Sequence, residues 1–234
     1  GETGVTFNAG SSIEYANTSA SAHIGIQANA GTIAFSGQPF AFNNTPTGNT
    51  HIWAGTNVTN ASGAPLTFTY KSRNAAGQHI DMYAGQNITM NDKLTFTHDD
   101  AAGHRGDIAL RAFTNAATLF GMASTPAAGC PVRCSDGSLT PTRGNINLND
   151  VVKIDYDGSG NVWMAANADV NINKDYFHTA GKTGPQTGNT KIVAGNSITT
   201  GTSATNGGFH YTNNGTGGSF VIKAGTEIIA LNKH

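Results

Sequence analysis

Apolar and polar residues alternate through this chain in short bursts, and the bursts repeat. The clearest is Gly188-Asn-Thr-Lys-Ile-Val-Ala-Gly195 followed by Ile198. Close copies are Gly218-Ser-Phe-Val-Ile-Lys-Ala-Gly225 with Ile228, Gly48-Asn-Thr-His-Ile-Trp-Ala-Gly55 with Val58, and Gln78-His-Ile-Asp-Met-Tyr-Ala-Gly85 with Ile88. Looser copies lie at 106–112, 144–150 and 160–166, and two more open the chain around Val5 and Ile24. With the alanine as anchor, apolar residues fall two and four positions before it, as in Ile80, Met82 and Ala84. Period two places all three on one face of an extended strand. A small anchor suits a corner where facing walls approach, and the glycine after it suits a bend. An apolar residue four positions beyond the anchor predicts a second short strand. Leu66-Thr-Phe68, Leu94-Thr-Phe96 and Phe209-His-Tyr211 predict a third.

The anchors stand at 9, 28, 54, 84, 112, 150, 166, 194 and 224. The last eight give a mean step of about 28 residues, too little for a self-sufficient core. Stacking unit upon unit pairs every strand and makes one continuous interior. The expectation is an all-β fold, a right-handed parallel β-helix (β-solenoid) of about nine coils of roughly 28 residues. It forms a single domain over 1–234, with core positions Ile26, Ile52, Met82, Leu110, Leu148, Met164, Ile192 and Ile222. A nine-bladed propeller is the competitor, but its blades need longer strands and meander turns. Between anchors 112 and 150 the step lengthens and the next shortens, so the register is displaced rather than lost. The extra residues, about 113–145, carry Pro126, Pro131 and Pro141 and predict a loop insertion leaving the stack.

Composition agrees with stacking. Only 12% of residues are charged, and Gly fills 30 positions. Like charges piled up a wall repel, whereas Asn and Thr hydrogen-bond up a ladder. A net charge of −1 gives no electrostatic reason to expect nucleic acid as partner. No apolar run has the length of a membrane span, so membrane insertion of this segment is not expected. Gly1-Glu-Thr-Gly4 and Lys233-His234 resemble vector-derived ends and are left out of the functional argument. Cys130 and Cys134, close together with no other thiol, are expected to form a disulfide staple in an oxidising compartment.

The unit Gly-Asn/Asp-Ile-x-Ile-x-Ala-Gly-x-x-Ile resembles the repeats of bacterial filamentous haemagglutinin-type adhesins, passengers of two-partner secretion. Related solenoids occur in autotransporter passengers. The resemblance covers nearly the whole chain, departs from the pattern around Phe113 to Asp150, and transfers no catalytic residue. It implies export to the bacterial surface, attachment to host or neighbouring-cell glycans or proteins, and a rigid, fibre-forming role.

The residues bear on enzymatic, calcium-binding and sugar-binding chemistry. Carbohydrate-active β-helix enzymes need paired carboxylates, and the acidic pairs here, Asp99-Asp100 and Asp155/Asp157, lie in sequences typical of turns. Asp155, Asp157 and Ser159 have the spacing of the first half of a calcium loop, but its twelfth position is Ala166 rather than a carboxylate. No cofactor motif is present. His23, His51 and His79 are evenly spaced, yet His51 falls out of line with the other two against the anchors. The outward positions of the first strand bring His51 and Trp53, then Asp81 and Tyr83, then Arg111, onto neighbouring coils, with Trp163 further along. Exposed aromatics beside hydrogen-bonding groups are expected to make a sugar-stacking platform. The reading is a surface adhesin or filament segment without enzymatic activity; a β-helix lyase or hydrolase and a structural stalk are the alternatives.

Overall fold

A computed structural model shows the chain and describes residues 4–8, 11–17, 23–46, 49–70, 79–98, 107–112, 144–156, 160–181, 188–201 and 208–230. Among the described residues, twenty-two strands form three parallel sheets of seven, eight and seven strands. Sheet 1 carries the alanine anchors. It stacks β3 (His23–Ala28), β6 (Asn49–Ala54), β9 (His79–Ala84), β12 (Asp107–Ala112), β15 (Val162–Ala166), β18 (Thr190–Ala194) and β21 (Phe220–Ala224). Sheet 2 follows the corner. It stacks β1 (Gly4–Phe7), β4 (Thr32–Phe35), β7 (Val58–Asn60), β10 (Ile88–Met90), β13 (Ile146–Leu148), β16 (Val170–Ile172), β19 (Ser197–Thr200) and β22 (Glu227–Ala230). Sheet 3 holds β2 (Ser11–Asn17), β5 (Phe40–Pro46), β8 (Leu66–Tyr70), β11 (Leu94–His98), β14 (Val152–Tyr156), β17 (Tyr176–Ala180) and β20 (Phe209–Asn213). Each coil contributes one strand to each sheet, which makes a parallel β-solenoid.

At three strands per coil, twenty-two strands make just over seven coils, not nine. Two of the nine copies are not anchor strands. Val5 and Phe7 pair with Ile33 and Phe35, and Ile146 and Leu148 pair with Ile88 and Met90, all in sheet 2. Alternation with period two marks a strand but says nothing about which wall it joins. The anchor step from Ala112 to Ala166 is therefore a single rung, with Ala112 beside Ala166.

The interior is a column of apolar layers. Ile52, Met82, Leu110, Leu148, Met164 and Ile192 are buried as expected, Ile26 lies at the margin, and Ile222 packs half-buried at the last coil. Phe42, Phe68 and Phe96 stack on one another inside sheet 3, with centroids 4.8 and 5.0 Å apart. Parallel in-register stacking places each ring over its equivalent one coil away, so one side-chain choice repeats.

The corners are held by amide ladders. Between sheets 1 and 2, the Asn57 side-chain Oδ1 accepts the Asn87 backbone N–H and side-chain amide, each at 3.2 Å. Asn87 accepts in the same way from Asn145, and Asn145 accepts the Asp169 N–H at 3.1 Å. Between sheets 2 and 3, Asn149 donates to Asn91 and Asn173 donates to Asn149. Between sheets 3 and 1, Asp107 accepts from Asn161, Asn161 from Asn189, and Asn189 from Ser219.

The corner glycines are required by contact rather than by backbone sign. A Cβ on Gly85 would overlap the carbonyl oxygen of Gly55, and one on Gly225 that of Gly195. Neither residue is among those with positive φ. Gly144 sits at the equivalent corner, against carbonyl oxygens of Gln86 and Ala112, and Asn145 is a ladder member. Gly144 and Asn145 therefore belong to the stack. Residues 113–143, with Cys130 and Cys134 and the expected disulfide, lie outside the described residues.

Candidate functional site

Sheet 1 differs from its neighbours on its outer face. Strands of sheet 2 alternate buried and half-buried residues, as in β10, β13 and β16. In sheet 1 several outward residues are covered as well: His51, Trp53, Asp81, Ala109, Ala165 and Val193 are buried. A parallel strand buried on both sides carries a near-continuous apolar run. That run is visible in Val162-Trp-Met-Ala-Ala166 and Ile192-Val-Ala194.

The register brings the six candidate residues together much as their spacing implies. His51 pairs with Asp81 and Trp53 with Tyr83. Tyr83 pairs with Arg111, and Asp81 with Ala109, which in turn pairs with Trp163. His51 pairs with Gly25 and Asp81, out of the columns of His23 and His79.

The chemistry of the cluster centres on Asp81, 5% exposed. Its Oδ2 accepts the Trp53 indole N–H at 3.0 Å, and its Oδ1 accepts the Arg111 Nε–H at 3.0 Å. Arg111 Nη2 closes the second arm of the fork onto Oδ2. Bidentate guanidinium–carboxylate pairing is both strong and directional. The His51 ring tilts against the Trp53 indole, centroids 4.8 Å apart. Both oxygens of Asp81 are engaged, so the carboxylate is built to hold neighbouring rungs in place. The Trp163 indole N–H is buried and meets no acceptor among the described residues.

Burial corrects one expectation. Trp53 is 2% exposed and His51 8%, so these rings do not form an open stacking platform. Outward on this sheet does not mean solvent. Tyr83, Arg111 and Trp163 are half-buried.

The calcium candidate has its first residue in a strand. Asp155 belongs to β14, registers with Thr97 and Thr179, and lies 4.0 Å from the Lys153 ammonium. Asp157, Ser159, Asp99 and Asp100 lie outside the described residues. No group of three or more His, Cys, Asp or Glu suited to a metal ion occurs among the described residues.

Two features escaped sequence reasoning. Inside the coil formed by β15 to β17, Tyr176 and His178 face the core, 0% and 2% exposed, with the Tyr176 hydroxyl 3.4 Å from His178 Nδ1. Burial pushes the His178 pKa down from its usual 6.5 to about 4. Burial and, secondly, the neighbouring Tyr211 push the Tyr176 phenol up. The sequence signal was available, since Tyr176-Phe-His178 occupies the positions that Leu94-Thr-Phe96 fills elsewhere. The second feature is the run of outward amides on sheet 2, legible as Asn145-x-Asn147-x-Asn149 followed by Asp169-x-Asn171-x-Asn173.

Compared with family models, with curated proteins and with solved structures, the chain matches none.

Proposed function

We propose that this chain is a rigid segment of a secreted or surface-displayed bacterial adhesin or filament, akin to filamentous haemagglutinin-type repeats. It attaches to glycans or proteins of host or neighbouring cells rather than catalysing a reaction. The observation that carries this reading is the unbroken register. Three sheets continue from Gly4 to Ala230 with every neighbouring pair parallel, including across the rung that carries residues 113–143. At about 4.8 Å per rung, seven coils make a rod on the order of 35 Å tall.

The carboxylates are consistent with a scaffold. Asp81 holds Arg111 and Trp53; Asp107 and Asp169 serve corner ladders; Asp92, Asp150 and Asp175 accept the backbone N–H groups of Gly63, Val151 and Gly208. These bonds fix the carboxylates to neighbouring backbone and ladder groups, where they serve as turn and rung acceptors.

Binding of the purified chain to a glycan array and to cultured epithelial and bacterial cells tests the reading. Saturable attachment to one of these surfaces is the expected result. Attachment to none would sink the adhesive role and leave that of a passive stalk. Release of reducing ends from a polysaccharide panel would overturn the non-enzymatic assignment.

A further inference from the structure

We propose that the outer face of sheet 2 is the binding wall, and that its ligand is an extended neutral polysaccharide. This rests on the attachment reading above and names the surface responsible.

The three walls are unlike. On the outer face of sheet 1, His51, Trp53, Asp81, Ala109, Ala165 and Val193 are buried and Tyr83 and Trp163 half-buried, so it offers no open run of aromatic faces. Sheet 3 is chemically mixed over its later coils, where Lys153, Phe177 and His210 follow one another in register. Sheet 2 presents rows of small neutral hydrogen-bonding groups. Three successive rows read Asn87-Thr89-Asn91, Asn145-Asn147-Asn149 and Asp169-Asn171-Asn173, with Thr59 below and Thr199 above the middle column. All of these residues are half-buried or exposed. Asp169 is the only charge in the three rows, and its Oδ1 is taken by Asn196 and Ser197.

The lattice is regular up the stack. Rows are about 4.8 Å apart, and each row carries one outward strand residue, Thr89, Asn147 or Asn171, between two corner residues. A side-chain amide has two N–H donors and two carbonyl lone pairs. The bond from Asn171 Nδ2 to Asn147 Oδ1, 2.9 Å, uses one donor and one lone pair. The remaining amide capacity of Asn147 and Asn171, and the Thr89 hydroxyl, is left for groups outside the wall. Sugar hydroxyls both donate and accept, so they complement a surface offering both at every position. Bonding up the column already holds the amides in place, which lowers the ordering cost on binding. The three rows carry no cation, so an anionic polymer would find no counter-charge there.

The experiment uses the whole chain with cellulose, chitin and β-1,3-glucan particles, in low salt and in 1 M NaCl. The parent should sediment with at least one of the three, and salt should not release it. Thr89→Val/Asn147→Val/Asn171→Val keeps strand-compatible side chains and should weaken binding at least tenfold. Thr67→Val/Thr95→Val on sheet 3 should leave it unchanged. Circular dichroism checks folding; if the valine variant fails to fold, Asn147→Ala/Asn171→Ala is read by the same criterion. Undiminished binding by the sheet 2 variant overturns this wall while leaving the attachment reading standing. Release by salt, or retention on heparin beads alone, overturns the neutral ligand. Binding to none of the three particles overturns the inference; failure on cells and on the glycan array as well would remove the attachment reading with it.

Discussion

Single residues in this fold act through the coil next door. Replacing Gly85 by Ala drives a methyl into the Gly55 carbonyl oxygen, backbone that cannot give way without shifting a rung. A loss of about 1–3 kcal/mol is expected from such overpacking, measured by urea unfolding. Asp81 is the other sensitive position. Asp81→Ala leaves the Arg111 guanidinium, its side chain 14% exposed, without its carboxylate. Breaking a buried pair from one side costs about 3–5 kcal/mol. Asp81→Ala/Arg111→Ala should recover part of that loss, and a double variant no more stable than Asp81→Ala would refute a coupled pair. The sequence placed His51, Trp53, Asp81, Tyr83 and Arg111 on adjoining rungs because register follows from the anchors. It did not reveal that they are covered, since coverage depends on what packs against the sheet rather than on the strand's own alternation. The apolar outward residues Ala109, Ala165 and Val193 were the available clue.

At the scale of the strand, His178 makes β17 sensitive to acid. Its folded pKa of about 4 lies below the usual 6.5, so the unfolded chain binds the extra proton first as pH falls. Stability contributed by the neutral ring is complete above about pH 6.5 and is lost progressively down to about pH 4. The whole effect is about 3 kcal/mol. Unfolding free energy measured from pH 7 to 4 should fall, and His178→Phe should flatten that part of the curve relative to the parent. An unchanged slope would mean that His178 does not titrate alone in the core. Corner ladders give a second test. Asn145→Ala removes the acceptor of the Asp169 N–H and the amide that reaches Asn87, for an expected loss of about 1–2 kcal/mol. The strands themselves were legible where an alanine–glycine corner followed them. They were assigned to the wrong sheet at Val5–Phe7 and Ile146–Leu148, where alternation was present but the corner chemistry misled: Ala9-Gly10 imitates an anchor, and Asp150 is none.

For the whole molecule, each coil touches only its neighbours, so stability is a chain of nearest-neighbour terms. The last coil has a neighbour on one side: the strand pattern of β21 is half-buried and exposed throughout, and Ile228 is 53% exposed. Amide hydrogen exchange should therefore be slowest in β9 to β15 and fastest in β21 and β22. Uniform protection along the stack would contradict nearest-neighbour behaviour.

Bonds between rungs run along the long axis, which decides how the molecule answers a pull. Tension between its two ends loads every rung in series, and the weakest gives way first. Ala84 and Ala112, paired across one rung, are 28 residues apart in the chain. A detached coil of that length extends to roughly 90–100 Å, whereas folded it adds about 4.8 Å of height. Each failure thus pays out nearly twenty times the height it removes, and the force drops before the next rung fails. A tether made this way gives ground in steps under flow while its remaining coils stay folded.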